Sequence, residues 1–376
     1  MTQQHGLDDE SRPVVPPIVL SSTFAFPTAD AVARAAEKKQ PALYSRWDNP
    51  TVEALERRLA LLEGAERAIA CASGMAAISL VFWGAVRSGR PLVVQRELYG
   101  GTHEWVQTLL PSFGTPVTRV GIDEIIPVVA DFKEPVVIYL ETPANPLCRL
   151  VDIESVKRAA PPDSVVIVDS TFASPINLKP MRWGADLVVH SATKYLAGHH
   201  DVVAGVVCGN GTWMNELWYL RKLTGPVLDA EAAYRVYRGL ETLELRVLRQ
   251  NETALFIANR LVQHPRVRAV YYPLVFGNTD KSLCERTMTG GGGVLSFEIN
   301  GSSSDALTTA NRLRLFEHAP SLGGCRSLVT WPAGVSHVGL TESDRAECNV
   351  PDTLLRLSVG IEPKEVLWAD LEAALQ

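Results

Sequence analysis

The stretch VVIVDSTFASP at residues 165–175, followed by VVHSATKYLAGHHDVVAG at 188–205, holds the most telling pattern in the chain. Both open on apolar, largely β-branched runs that are continuous rather than alternating, as strands covered on both faces are. The first run ends on Asp169-Ser170-Thr171 and the second on His190-Ser191-Ala192-Thr193-Lys194. Similar runs occupy Pro91–Gln95, Val136–Leu140, Ala185–His190 and Val202–Cys208, with helix-like stretches between them. Strands of this texture form parallel or mixed sheets with helices on each side, so the spacing predicts an α/β protein.

An acid at the C-terminal end of an apolar strand stands where open α/β sheets place ligand contacts. Asp169 is equally well placed to cap a helix, since Ser, Thr and Asp all do that. Lys194 narrows the choice. Most lysines are solvated, but this one follows a buried strand directly and sits among hydroxyls. A partly desolvated amine can lose its proton near neutral pH and attack a carbonyl. Ser191 and Thr193 can offer hydroxyls to a phosphate. Asp169 and Lys194 are 25 positions apart in sequence, enough for one strand, one connection and the next strand edge. Both then reach the same rim of the sheet. An amine for an aldehyde and an acid for a ring nitrogen are the two anchors that pyridoxal phosphate (PLP) requires.

The flanking sequence bounds the rest. The chain has 376 residues, 46% hydrophobic and 21% charged, with formal net charge -6. That is a globular composition with room for two domains. It contains no basic run to attract nucleic acid or an anionic membrane. The start lacks an apolar signal region, and no apolar stretch approaches the roughly 20 residues needed to span a bilayer. A soluble cytoplasmic protein is expected. Cys71, Cys148, Cys208, Cys284, Cys325 and Cys348 are scattered without a CxxC pair, which favours reduced thiols and no metal site.

Residues 1–43 read as an arm, broken by Pro13, Pro16, Pro17 and Pro27 with one short helix over Ala29–Lys39. NPTVEALERRLALLEG, from Asn49, predicts a helix that stops at Gly64. A long helical segment over Leu228–Leu261 leads from a large domain (44–230) into a smaller α/β domain (231–376), with strands at Val267–Tyr272, Gly293–Glu298 and Leu354–Gly360. The run Gly290–Gly293 lacks the Lys-Ser/Thr ending of a phosphate loop and opens a strand, so it reads as a turn. CASGMAAISL (71–80) places Gly74 and Met75 where a helix starts, and free backbone N–H groups there suit a phosphate. ELYGGTHEW (97–105) sets Tyr99 on a tight loop, able to stack on a ring or simply to pack. YSRWDNPT (44–51) puts Tyr44 and Arg46 on an extended segment, for a phosphate contact or a surface ion pair.

In this order the motifs resemble the Cys/Met-metabolism family of PLP enzymes, which includes cystathionine γ-synthases, cystathionine γ-lyases and methionine γ-lyases. The matching blocks are PPIVLSSTF (16–24), YSRWDNPT, ASGMAA, LYGGT, ETPANP (141–146), VDSTFASP, HSATKYLAGHHDVVAG, RGLETL (238–243), SLGG (321–324) and LRLSVGIE (355–362). They span nearly the whole chain.

The resemblance implies the aspartate-aminotransferase fold (fold type I): a large domain with a mixed, mostly parallel seven-stranded sheet, and a smaller C-terminal α/β domain. It also implies a homotetramer built from dimers that share active sites. Lys194 would be the Schiff-base lysine and proton carrier, Asp169 the partner of the pyridinium nitrogen, and Thr171 a neighbour of the ring. Gly74, Met75, Ser191 and Thr193 would hold the phosphate, joined by Tyr44 and Arg46 of the adjoining subunit. Tyr99 would stack on the ring and act on the leaving group. Asn145, Ser321 and Arg356 would hold the substrate carboxylate.

Two departures bear on the reaction. Where cystathionine enzymes often carry acids, this chain has Leu43 and Arg326, which suit a neutral thioether better than a distal ammonium. Against that, methionine γ-lyases usually have Cys where this chain has Gly101. The reading is γ-elimination of a methionine-like amino acid to a thiol, 2-oxobutyrate and ammonia. If Arg326 clamps an anionic leaving group, γ-replacement on an activated homoserine takes its place. Cystathionine γ-lysis and a non-catalytic protein of the same fold complete the alternatives.

Overall fold

A computed structural model describes residues 13–38, 42–275, 277–335 and 348–376. Its larger sheet holds β1 (Arg67–Cys71), β2 (Leu92–Gln95), β3 (Val117–Val120), β4 (Val137–Glu141), β5 (Val165–Asp169), β6 (Leu187–His190) and β7 (Gly205–Gly209) in the order β1-β7-β6-β5-β4-β2-β3. All neighbours are parallel except β7, which runs antiparallel to both β1 and β6.

Alternate residues along each strand feed two separate cores. Val166, Val168 and Val188 pack with Leu55 and Leu59 of the helix Pro50–Glu63 and with Val236 of the helix Ala230–Leu240. Val165, Ile167, Leu187 and Val189 pack with Ile78 and Phe82 of Gly74–Ser88, and with Leu217 of Gly211–Thr224. A sheet covered on both faces buries both sets of side chains, which is why its strands read as unbroken apolar runs.

The smaller sheet holds β8 (Val267–Tyr271), β9 (Val294–Ile299), β10 (Glu317–His318), β11 (Leu328–Thr330) and β12 (Leu354–Ser358) in the order β10-β11-β12-β9-β8. The glycine run at 290–293 leads into β9. The segment Leu228–Leu261 is helical, as expected, but not continuously so. It forms Ala230–Leu240 and Leu243–Leu261, with the break at Glu241-Thr242. The first of these packs on the large sheet's core. The second spans both cores: Leu243 and Val247 lie in the first, and Ala254, Ile257 and Leu261 in the small domain's own.

The helix Pro50–Glu63 has the predicted ends, with the Asn49 side chain accepting from the Thr51 N–H and Gly64 in the left-handed region at φ 75°. The arm's helix covers Ala29–Glu37; the predicted end at Lys39 lies outside the described residues. The arm rests on the body where Thr51 Oγ1 donates to the Pro17 carbonyl and accepts the Val19 N–H, each at 2.8 Å. Val14, Val15, Ile18 and Leu20 of the arm are exposed.

Candidate active site

β4, β5 and β6 are parallel neighbours, with Glu141 opposite Asp169 and Asp169 opposite Val189. Their C-terminal ends therefore form one rim. Above it opens a cavity of about 750 Å³ whose wall includes Gly74, Met75, Tyr99, Asn145, Asp169, Thr171, Ser191, Thr193, Lys194, Ser321 and Arg356. Thus the structure gathers these eleven of the sequence-predicted residues around a single space. Tyr44, Arg46, Leu43 and Arg326 are not on its wall. Arg46 donates to the Lys222 carbonyl at 2.5 Å, and Tyr44 is half exposed. The Arg326 guanidinium lies 3.9 Å from the exposed Glu317.

Asp169 is buried, and one carboxylate oxygen accepts both the Thr171 N–H (3.0 Å) and the Thr171 hydroxyl (2.6 Å). The other accepts the Tyr139 hydroxyl at 3.3 Å. Burial raises the Asp169 pKa, against those hydrogen bonds. A buried carboxylate without a cation in contact suits a protonated ring nitrogen.

Lys194 Nζ donates to Ser321 Oγ at 3.1 Å. Burial first, then the Arg356 charge, lowers its pKa from 10.5 to about 8. Arg356 crosses the small-domain sheet on β12 and is buried. It donates to Asn145 Oδ1 at 2.8 Å, to the Ser321 carbonyl at 3.3 Å and to Thr330 Oγ1 at 3.4 Å. Its Nε has no partner, and among the described residues no carboxylate lies within ion-pair distance. Burial lowers its pKa to about 10. A buried guanidinium in that state calls for an anion.

The phosphate end is equally specific. Ser73 caps the helix Gly74–Ser88 by accepting the Ala76 N–H at 3.0 Å. Helix geometry leaves the Gly74 and Met75 N–H groups without intrahelical acceptors. A Cβ on Gly74 would stand 2.7 Å from Ser191 Oγ, so glycine keeps the gap between helix end and hydroxyl open. Thr193 Oγ1 is occupied, donating to the Ala204 carbonyl (3.1 Å) and accepting the Ala204 N–H (2.9 Å). The donor set, the open cradle, and an acid and an amine without an ion pair among the described residues fit PLP.

One wall residue, Glu141, escaped the residue-level reading. It is buried, its pKa is raised to about 8 by burial and then by Asp169, and its oxygens accept the Tyr99 and Asn145 N–H groups. The signal available was the acid at the end of the apolar run Val136–Leu140, the same feature that marked Asp169.

A doubly covered α/β sheet with a buried acid and a depressed-pKa lysine on one rim defines a fold type I PLP-dependent enzyme. The sequence profile of the Cys/Met metabolism PLP-dependent enzyme family matches residues 2–376, and the chain belongs to that family. It is 39% identical over 366 residues to an L-methionine gamma-lyase of Fusobacterium nucleatum, covering 96% of this chain and 93% of that one. It is 38% identical over 369 residues to a chloroplastic cystathionine gamma-synthase of Nicotiana tabacum, covering 96% and 68%. The crystal structure of cystathionine gamma synthase from Xanthomonas oryzae pv. oryzae in complex with aminoacrylate and cysteine superimposes with a TM-score of 0.91. The two are 36% identical, and the match covers 98% of this chain and 94% of that one. No helix among the described residues is long and apolar enough to cross a membrane.

Proposed function

We propose that the chain is a carbon–sulfur lyase that converts a methionine-like amino acid and one water to a thiol, 2-oxobutyrate and ammonia. The observation that carries the amino-acid substrate is Arg356, a buried cation on the cavity wall with no ion pair among the described residues. The cavity's charge balance speaks against an anionic leaving group. Its wall carries the carboxyls of Glu104, Glu141 and Asp169, and among the described residues its lysine and arginine side chains are Lys194 and Arg356. Met75, Ile78, Val203 and Val335 add apolar surface. An anionic succinyl or phosphoryl group would find no further lysine or arginine there among the described residues.

When bound, PLP supplies an electron sink for negative charge developing at the substrate carbons. The chain's residues do the remainder. Asp169 holds the ring nitrogen's proton, and the Gly74 and Met75 N–H groups with Ser191 Oγ hold the phosphate. Arg356 and Asn145 hold the substrate carboxylate. The Lys194 amine, whose lowered pKa leaves part of it neutral near neutral pH, would be the covalent anchor and take the Cα proton. Ser321 keeps it on that side of the cavity. Tyr99 covers the ring and delivers a proton to the departing sulfur. Tyr44 and Arg46, and Leu43 beside them, serve the neighbouring subunit's site in a homotetramer of site-sharing dimers.

Purified protein loaded with PLP and offered methionine, homocysteine, cystathionine and O-acylhomoserines, with products identified by mass spectrometry, tests the reading. A neutral thioether should exceed cystathionine in kcat/KM by about 5- to 150-fold, as a mismatched charge near a partly desolvated site costs on the order of 1–3 kcal/mol. Cystathionine as the best substrate defeats it. If O-succinylhomoserine plus a thiol outruns every elimination substrate, γ-replacement takes its place. That second reading is favoured by the likeness to cystathionine gamma-synthases.

A further inference from the structure

The cavity's substrate groups are joined by a hydrogen-bond path with a carboxyl at its middle. Arg356 donates to Asn145 Oδ1 at 2.8 Å. The Asn145 N–H donates to Glu141 Oε1 at 2.9 Å, and Glu141 Oε2 accepts the Tyr99 N–H at 2.8 Å. The Glu141 N–H in turn donates to Gln95 Oε1 at 3.0 Å, and Gln95 Nε2 donates to the Glu97 carbonyl at 2.8 Å. One end of the path is the Arg356 guanidinium and the other is the loop that carries the Tyr99 ring. Glu141 sits on β4, opposite Asp169 in the sheet register, so the path starts from rigid backbone rather than from a loop.

We propose that Glu141 is a positioning residue that couples the substrate-carboxylate anchor to the setting of Tyr99. Both of its oxygens accept backbone N–H groups, and it touches neither Lys194 nor Arg356 by hydrogen bond. Its influence passes through Asn145 and Tyr99. A substrate carboxylate at Arg356 draws on the same guanidinium that holds Asn145. Any shift of Asn145 reaches the Tyr99 backbone through one rigid, buried carboxyl group. The enzyme can in this way set its aromatic cover and acid only when an amino acid is seated. The inference rests on the assignment of Arg356 and Tyr99 to the substrate.

Glu141→Gln is nearly isosteric but turns one N–H acceptor into a donor, so either the Tyr99 or the Asn145 N–H loses its partner. In the PLP-loaded enzyme, two readouts follow. The Kd of glycine, an amino acid with no γ-leaving group, followed by the cofactor's absorbance change, should weaken about 10-fold or more. With the best substrate found, kcat should fall about 10- to 100-fold, as expected for a small misplacement of a reacting group. The same substitution in a Tyr99→Phe background should lower kcat by less than about twofold, because the hydroxyl it positions is already gone. Equal losses in both backgrounds, or unchanged glycine binding, overturn the coupling. Glu141→Asp, which keeps the carboxyl but shortens the reach, goes through the same cycle and decides the matter if the Gln variant does not fold. Should Tyr99→Phe and Arg356→Ala themselves leave kcat and glycine binding intact, the substrate assignment fails instead.

Discussion

Lys194 shows what a single side chain's surroundings do to its chemistry. Desolvation and the Arg356 charge both penalise the protonated amine, bringing its pKa from 10.5 to about 8. A lowered pKa means that the folded protein releases this proton as pH rises through about 8, whereas an ordinary lysine keeps it to 10.5. At pH 7 about a tenth of Lys194 is then neutral, against about three parts in ten thousand for a solvated lysine. Labelling of the PLP-free protein by PLP and borohydride, followed by peptide mass spectrometry from pH 6 to 10, should mark Lys194 with a midpoint near pH 8. A midpoint above pH 10 would show the amine to be solvated. Lys194 and Asp169 were legible because each ends an apolar run with the wrong chemistry for a core. Arg356 was named only through the family likeness, although an arginine within LLRLS, every residue of it buried, carried the same kind of signal. Glu141 carried the same signal as Asp169, an acid closing an apolar strand, but no lysine follows the next strand edge from it to narrow the choice.

Elements succeed or fail as sequence signals according to their cover. β2, β4, β5 and β6 lie inside the sheet and are rich in Val, Leu and Ile, so their texture gave them away. β1 and β3 are the two edge strands. β1 reads RAIAC, with little β-branched content, and β3 reads VTRV, with polar residues partly open to water. Neither has a pattern that separates it from a loop. In the small domain, β10 is an exposed edge strand of two residues, and β11 is buried but only three residues long, too short to show a pattern. The break at Glu241-Thr242 was hidden by good helix formers on either side. β7 carries a further demand that no propensity reveals. A Cβ on Gly205 would meet the Ser73 carbonyl oxygen at 2.1 Å and Gly74 Cα at 3.0 Å, all backbone that cannot swing aside. Gly205→Ala must therefore push the start of the helix Gly74–Ser88 off the strand, and with it the phosphate cradle. We expect a stability loss of about 1–3 kcal/mol by urea unfolding, as for overpacking elsewhere. PLP affinity should fall about 10-fold or more, as misplaced contacts usually cost. Gly89→Ala is the contrast: left-handed at φ 68° but with nothing within 4 Å of its Cβ, it should lower stability without changing PLP affinity.

At the scale of the whole molecule, the cavity within one chain lacks two of the side chains that the motif order ties to it. Tyr44 and Arg46 are held away from the cavity wall, Arg46 on the Lys222 carbonyl and 5.3 Å above the Tyr44 ring. The arm before them exposes Val14, Val15, Ile18 and Leu20 to solvent, an apolar strip that a single chain leaves uncovered. Motif order marks these residues as functional, and the family resemblance assigns them to the adjoining subunit's site, so the question is whether this chain builds its sites that way. Two inactive variants answer that. In a two-fold dimer that shares its sites, each site draws Lys194 from one chain and Arg46 from the other. A chain with Lys194→Ala still lends Arg46 to its partner, and a chain with Arg46→Ala still holds its own lysine. Equal amounts, unfolded together and refolded, give about half mixed dimers by chance, each with one site that has both groups and one that has neither. Activity should therefore return to about one quarter of the native value, and a tandem-tag purification of mixed dimers should raise it to about one half. If purified mixed dimers stay as inactive as their parents, the site is built within one chain, and Arg46 is a surface residue tied only to Lys222.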